Sequence, residues 1–386
     1  MNIALLTKNF GKDMNEAAKI TTVNLAKDLT KNNHNVSIIS NRGYIRGFSK
    51  FMTPSYEKVE GVDVFRPYYV REIPSFNLTP MTIFNRFLSQ PFGVLYVEKK
   101  REMTFDIVHS NSSAPVLALN SIFCKFFKRD YKIVHTLKSY SVHPLGSFFF
   151  SKILNYTDKV IVPLESMKQE LISNGVKENK IEIIHSNIDI DKFRPMNKEK
   201  LKKKYGLSNK KVILYYGHAS ERKGVPKLLK IYKKLKKNMP DVVMYLLFSG
   251  RTHPKYNNLS EEGFYAIGNA RVKIEEYVSL SDVAIFPYET LVGTEANPSC
   301  VLECMASETP VVTSRVDGME VIGTENEHFL CSKPNDINGF VKNIKKLLND
   351  PKLVKYINHN ALAKSKEFGI KNSTKKHITL YENLLK

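Results

Sequence analysis

Lys211-Val212-Ile213-Leu214-Tyr215-Tyr216-Gly217 is the stretch that decides the fold. Apolar and aromatic side chains run without a break and stop on a glycine, the pattern of a strand covered on both faces that leaves its sheet through a turn. Downstream, residues 225–237 read as a helix, and strands follow at 242–248, 283–286 and 310–312 with helical spacing between them. Upstream, the same alternation has already run once. Residues 2–6 and 36–40 are short apolar runs around a helical stretch at 17–31, and 106–109, 132–135, 159–162 and 181–184 read as further strands. Short buried strands alternating with helices mean parallel sheets with helices on both faces. The restart at Lys211 makes two such units, joined near Phe193-Arg194-Pro195, where proline interrupts the pattern and a lysine-rich segment begins. The expected class is α/β, two Rossmann-like domains. Residues 1–193 form the first and 194–369 the second, and 370–386 form a C-terminal helix that packs back on the first.

The chain has 386 residues, long enough for two packed cores, and 42% of them are hydrophobic. That composition excludes a disordered or collagenous chain. No apolar run is long enough to cross a bilayer. Ile3-Ala4-Leu5-Leu6 passes at once into polar residues, too short for a secretory core. The four cysteines, 124, 300, 304 and 331, contain no CxxC pair and no metal-ligand spacing, so a reducing cytoplasm is the expected location.

The formal charge is +21. Residues 1–193 hold 26 basic and 18 acidic side chains, a balance of +8, and the remainder carries +13, so the excess is not confined to one tail. Such a charge favours anionic partners without choosing among them. Much of the second excess lies in the runs 198–211 and 227–237. In the latter, Lys227, Lys230, Lys233, Lys234 and Lys237 recur at helical spacing and read as a solvated face.

Chemistry concentrates in Thr294-Glu295-Ala296-Asn297-Pro298-Ser299-Cys300-Val301-Leu302-Glu303. The strand at 282–287 leads into it. Asn297 suits an N-cap and Pro298 the first helical turn, so the amides of Ser299 and Cys300 would open the helix as an anion site. Glu295 then lies ahead of the helix, and Glu303 about one and a half turns into it. The spacing alone is also met by a capping acid and a surface glutamate.

In these residues the chain resembles the retaining glycosyltransferases of family 4, whose fold, GT-B, sets two Rossmann-like domains across a cleft. EANPSCVLECMASETPVV at 295–312 is similar to that family's paired glutamates, small-residue helix and Pro-Val strand. VILYYG at 212–217 with Lys223-Gly224-Val225, IIHSNIDIDKF at 183–193 and the 264–286 stretch with Gly268 resemble further family segments in the same order. The resemblance implies that Glu303 holds the ribose hydroxyls of a nucleotide–sugar and that Glu295 sits beside the anomeric carbon. It implies backbone contacts to the sugar from Asn297, Pro298 and Ser299, and a donor loop at Gly217, His218 and Gly268. Lys223 would neutralise the diphosphate, and His135 would touch the sugar from the first domain. The implied activity is a glycosyltransferase of the hexosyltransferase type, using a UDP- or GDP-sugar and a glycan or lipid-linked acceptor in cell-envelope polysaccharide or glycolipid synthesis. No metal or other cofactor is expected, since an ammonium and helix-start amides can carry the leaving charge. Asp189-Ile190-Asp191 falls in a hinge-like segment and reads as structural. His218 stands where the family usually has Arg, which weakens the diphosphate grip or shifts it to Arg222 or Arg251. Glu16-Ala17 replaces an expected glycine pair.

Other classes fit less well. A nicotinamide dehydrogenase needs GxGxxG after a strand, and a P-loop enzyme needs GxxxxGK[ST]; neither motif occurs. A nucleic-acid binder would carry a recognised module, and the lysines here are spread over both units. A catalytically weak relative acting as a binding or interaction protein is the alternative that His218 and Glu16-Ala17 keep open, and the intact Glu295/Glu303 pair argues against it. Aromatic and basic residues also cluster at Arg42, Tyr44, Arg46, Phe48, Lys50 and Phe51, at Phe84, Arg86, Phe87, Leu88 and Phe92, and at 148–152. They suit the headgroup zone of an anionic membrane, and peripheral contact with the cytoplasmic membrane face is expected.

Overall fold

The computed structural model describes residues 1–7, 17–40, 54–67, 88–112, 118–127, 130–138, 151–249, 256, 259–268, 272–291 and 298–386. The chain divides into two compact units, residues 1–186 with 370–386 and residues 187–369. The division falls at Asn187, ahead of the Pro195 at which the sequence pattern breaks.

The first unit is built on β1 (Asn2–Thr7), α1 (Ala17–Lys31), β2 (Asn35–Ser40), β3 (Tyr56–Val59), β4 (Val62–Phe65), α2 (Ser89–Arg101), β5 (Ile107–Ser112), α3 (Leu119–Ile122), β6 (Lys132–Leu137), β7 (Lys159–Val162), α4 (Glu165–Ser173) and β8 (Ile181–Ile183). Its sheet runs β3-β4-β2-β1-β5-β6-β7-β8, parallel except for β3 against β4. The central strands are near-continuous apolar runs because helices cover both faces. Ile3, Leu5, Val36 and Ile38 meet Val23, Ala26 and Leu29 of α1 in one buried cluster, which Leu380 and Tyr381 near the C-terminus complete. The β3–β4 hairpin at the edge turns through Glu60 and Gly61, both at positive φ. Sequence reading passed over it, because Tyr56-Glu57-Lys58-Val59 is too polar and exposed to look like a strand.

The second unit holds α5 (Lys198–Lys204), β9 (Lys211–His218), α6 (Val225–Lys236), β10 (Val242–Ser249), β11 (Phe264–Ile267), α7 (Ile274–Leu280), β12 (Val283–Phe286), α8 (Ser299–Ala306), β13 (Val311–Ser314), α9 (Met319–Ile322), β14 (Leu330–Ser332), α10 (Ile337–Asn349) and α11 (Pro351–Ser365). α12 (Ile370–Leu385) then returns to the first unit. The six strands are parallel in the order β11-β10-β9-β12-β13-β14. The chain enters and leaves this unit at one place, where Ile188 donates its N–H to the Phe368 carbonyl at 2.9 Å. Asp189 accepts from the backbone N–H groups of Asp191 and Lys192 at 3.1 and 3.0 Å, a turn closed by its own carboxylate.

α6 corrects the reading of its lysines. Lys230, Lys233, Lys234 and Lys237 are exposed, but Lys227 is buried. It shares the stripe of Ile231 and Leu235, so its ammonium points into the protein.

Candidate active site

The second sheet reverses direction between β9 and β12: the chain moves outward through β10 and β11, then returns to lay β12 on the other side of β9. In open α/β sheets the crevice at the carboxyl ends of two such strands is where ligands bind. The residues that border it are Gly217 to Gly224 after β9, Pro287 to Leu291 after β12, and the start of α8.

Two glycines set the loop after β9. Gly217, still within the strand, has φ +134°, a backbone angle closed to other residues. Gly224 has φ +72°, and a Cβ there would lie 1.7 Å from the Pro287 carbonyl oxygen. The two loops are therefore in backbone contact. The Glu289 N–H adds a 2.8 Å hydrogen bond to the Arg222 carbonyl. Between these clamps stands Lys223, half-buried, its ammonium 5.9 Å from the centre of the Tyr288 ring, close enough for a cation–π attraction. Arg222 and His218 are exposed, and the His218 carbonyl accepts from the Tyr215 hydroxyl at 2.9 Å.

Pro298 caps α8 and is not its first helical residue; its φ of −68° and ψ of 97° are non-helical. Val301 donates the first backbone bond of the helix, to the Pro298 carbonyl at 3.0 Å, so Ser299 and Cys300 occupy the opening turn. Glu303 is half-buried on this helix, and its Oε2 accepts from the Tyr216 hydroxyl at 2.7 Å. The same hydroxyl lies 3.0 Å from the Cys300 carbonyl, and the Cys304 thiol reaches it at 4.0 Å. Burial first, then Cys304 and the Glu303 carboxylate, push the Tyr216 phenol well above its ordinary range, so it stays a protonated donor. Tyr288 is fully buried, with its hydroxyl 3.0 Å from the Cys300 sulfur.

The geometry thus brings together Gly217, His218, Arg222, Lys223, Pro298, Ser299 and Glu303 around one strand-end crevice. Gly268 follows β11, the edge strand, with β10 between it and β9. Glu295, Asn297 and Arg251 lie outside the described residues. His135 belongs to the first unit. It sits within β6 rather than after it and is fully buried, with Nδ1 2.6 Å from the Ser110 hydroxyl. Burial lowers its pKa to about 3, which keeps the imidazole neutral. His109 on neighbouring β5 faces the other side of the sheet, bonded to Tyr381 and Thr136 at 2.6 and 2.7 Å. Sequence reading missed Tyr216, Tyr288 and Glu289. The tyrosines look like core residues of their strands, and nothing in the sequence shows where their hydroxyls go.

Among the described residues no group of His, Cys, Asp and Glu is arranged to hold a metal ion, and no helix is long and apolar enough to cross a membrane. Of the aromatic–basic clusters, Leu88, Phe92 and Lys152 are described, with Phe92 39% exposed; Arg42 to Phe51, Phe84 to Phe87 and 148–150 lie outside the described residues.

Residues 197–364 match the model of the glycosyl transferases group 1, and residues 18–192 match that of Glycosyltransferase Family 4. The chain belongs to this family of glycosyltransferases, and its two parallel-sheet units have the GT-B fold. Its relatives include the capsular polysaccharide biosynthesis glycosyltransferase CapM of Staphylococcus aureus, 26% identical over 271 residues that span 65% of this chain and 70% of that one. A glycosyltransferase from Rickettsia africae superposes with a TM-score of 0.77 at 22% identity, over 100% of this chain and 98% of that one. Anabaena HepE, solved in complex with UDP-glucose, gives 0.74 at 16% identity, over 99% and 100%.

Proposed function

We propose that the enzyme is a retaining transferase that moves a sugar from a UDP- or GDP-sugar to a glycan or lipid-linked acceptor in cell-envelope polysaccharide or glycolipid synthesis. The observation that carries this reading is the pair of strand ends β9 and β12: Tyr216 of β9 holds the Glu303 carboxylate of α8, and Tyr288 after β12 lies 5.9 Å from the Lys223 ammonium and reaches Cys300 in the opening turn of α8. In this reading Glu303 accepts from the ribose hydroxyls. Lys223 and Arg222 face the diphosphate, with His218 beside them, and the amides of Ser299 and Cys300 add their partial positive charge. As the bond from the anomeric carbon to the diphosphate breaks, negative charge grows on the leaving oxygen. A fixed cation and helix-start amides stabilise that charge most in the transition state. Glu295 acts near the anomeric carbon in this reading. CapM and the UDP-glucose complex of HepE support the substrate class.

Incubation with labelled UDP- and GDP-sugars tests the reading. Slow donor hydrolysis without acceptor is expected from one nucleotide series, with the released sugar keeping its anomeric configuration by NMR. No turnover and no binding of either series would refute it, and an inverted product would refute retention. The reaction proceeds in EDTA; a strict Mg²⁺ requirement would count against the metal-free reading. Peripheral binding to anionic membranes is part of the proposal. Salt-sensitive sedimentation with anionic but not neutral liposomes is expected, and failure to sediment with either at low salt would remove it.

A further inference from the structure

We propose that Tyr216 is a positioning residue for the donor's ribose: its hydroxyl fixes the Glu303 carboxylate to the sheet so that the carboxylate meets the ribose hydroxyls in one orientation. The inference rests on the reading of Glu303 as the ribose-binding group and goes beyond it. A glutamate side chain has several rotors, and ordering them on binding costs affinity. Here one oxygen is already held. Tyr216 lies near the end of β9, is 7% exposed and is wedged edge-on against Phe286, with ring centres 5.7 Å apart at 72°. The hydroxyl has one proton and two acceptors in reach, Glu303 Oε2 at 2.7 Å and the Cys300 carbonyl at 3.0 Å. The charged acceptor is also the shorter contact and takes the stronger bond. The Cys300 carbonyl and the Cys304 thiol of the same helix also lie 3.0 and 4.0 Å from the hydroxyl. Tyr216 touches no donor atom in this scheme; it acts through Glu303.

Binding of UDP and GDP, and of their 2′,3′-dideoxy counterparts, is to be measured by calorimetry for the wild type, Tyr216→Phe and Glu303→Ala. The Phe variant keeps the ring and its packing, and an unchanged near-ultraviolet circular dichroism spectrum certifies the fold. Glu303→Ala should weaken whichever ribonucleotide the wild type binds. Tyr216→Phe should weaken the same nucleotide about tenfold and the dideoxy form by less than about twofold, because without the diol the orientation of Glu303 no longer matters. At saturating donor, kcat should stay within about twofold. A purely structural tyrosine would weaken both nucleotide forms alike. If Glu303→Ala weakens binding while Tyr216→Phe leaves it unchanged, or weakens both forms equally, the positioning role falls and the ribose assignment stands. If Glu303→Ala leaves affinity unchanged, the ribose assignment falls and takes the positioning role with it.

Discussion

The Lys227 ammonium lies 2.6 Å from a Glu289 carboxylate oxygen and also donates to the Pro334 carbonyl. This pair ties the helix behind Lys223 to the loop after β12, and that loop in turn accepts Gly224 against Pro287. Lys227 is 10% exposed at its side chain and Glu289 36%, so the lysine bears most of the desolvation. Removing its partner strands a nearly buried cation. Glu289→Ala should cost about 2–3 kcal/mol, less than a fully buried pair because water reaches the carboxylate. Lys227→Met, which removes the charge and keeps the stem's packing, should cost less. Urea denaturation of the two variants checks the order, and equal losses would show that the charge is irrelevant.

Gly224→Ala tests the backbone contact between the two loops. The added carbon would meet the Pro287 oxygen at 1.7 Å in a conformation with φ of +72°, so both space and torsion oppose it. The variant should lose more than about 2 kcal/mol of stability or displace the Lys223 loop. Denaturation and nucleotide titration together decide which; a variant like the wild type in both would contradict the contact.

Lys223→Ala should lower kcat by about 10²-fold or more, with a smaller change in nucleotide affinity, if its charge acts on the departing diphosphate. Its place over the Tyr288 ring supplies the rigidity such a role needs. A change confined to KM would reassign it to ground-state binding.

Acid should unfold the first unit through its buried histidines, His109, His377 and His135, the last held neutral to about pH 3. The ring of His109 and that of His377 on α12 stack at 5.8 Å, and His377 also bonds the Ser373 carbonyl at 2.9 Å. Burial holds His109 well below its ordinary value and His377 at about 4, against 6.5 for an exposed imidazole; Lys138 pushes both further down. The unfolded chain therefore takes up protons first as pH falls. Stability is unaffected above about pH 6.5 and declines below it, by about 1.4 kcal/mol per pH unit for each neutral histidine. Denaturant midpoints measured from pH 8 to 4 should fall on this slope, and His377→Gln should flatten it. A pH-independent midpoint would show that the histidines are accessible.

Much of the fold was legible because parallel strands buried on both faces cannot hide: Ile3-Ala4-Leu5-Leu6 and Val212-Ile213-Leu214 admit little else. The helix after Pro298 and its Glu303 were equally plain. What escaped has specific causes. The β3–β4 hairpin is exposed, so its side chains lack an apolar signature, although Glu60-Gly61 was a turn signal in view. Lys227 escaped because its neighbours Lys230, Lys233 and Lys234 are solvated, yet the i, i+4, i+8 stripe of Lys227, Ile231 and Leu235 was there to be read. Tyr216 was unreadable: a strand tyrosine shows its ring to pattern analysis and says nothing of its hydroxyl, whose partner lies 87 residues on.

The return of α12 to the first unit has a consequence for how the protein is made. Leu380 and Tyr381 finish a cluster whose other members include Ile3, Leu5 and Val23, and Tyr381 is fully buried there. A ribosome delivers these two parts of one core separated by the whole of the second unit. The second unit, from Asn187 to Gly369, is contiguous and is free to fold while synthesis continues. The first already has α1 on that face of its sheet, but the patch around His109 lacks its cover until α12 has cleared the exit tunnel. A chain cut short before α12 would have its second unit closed and this patch of the first open.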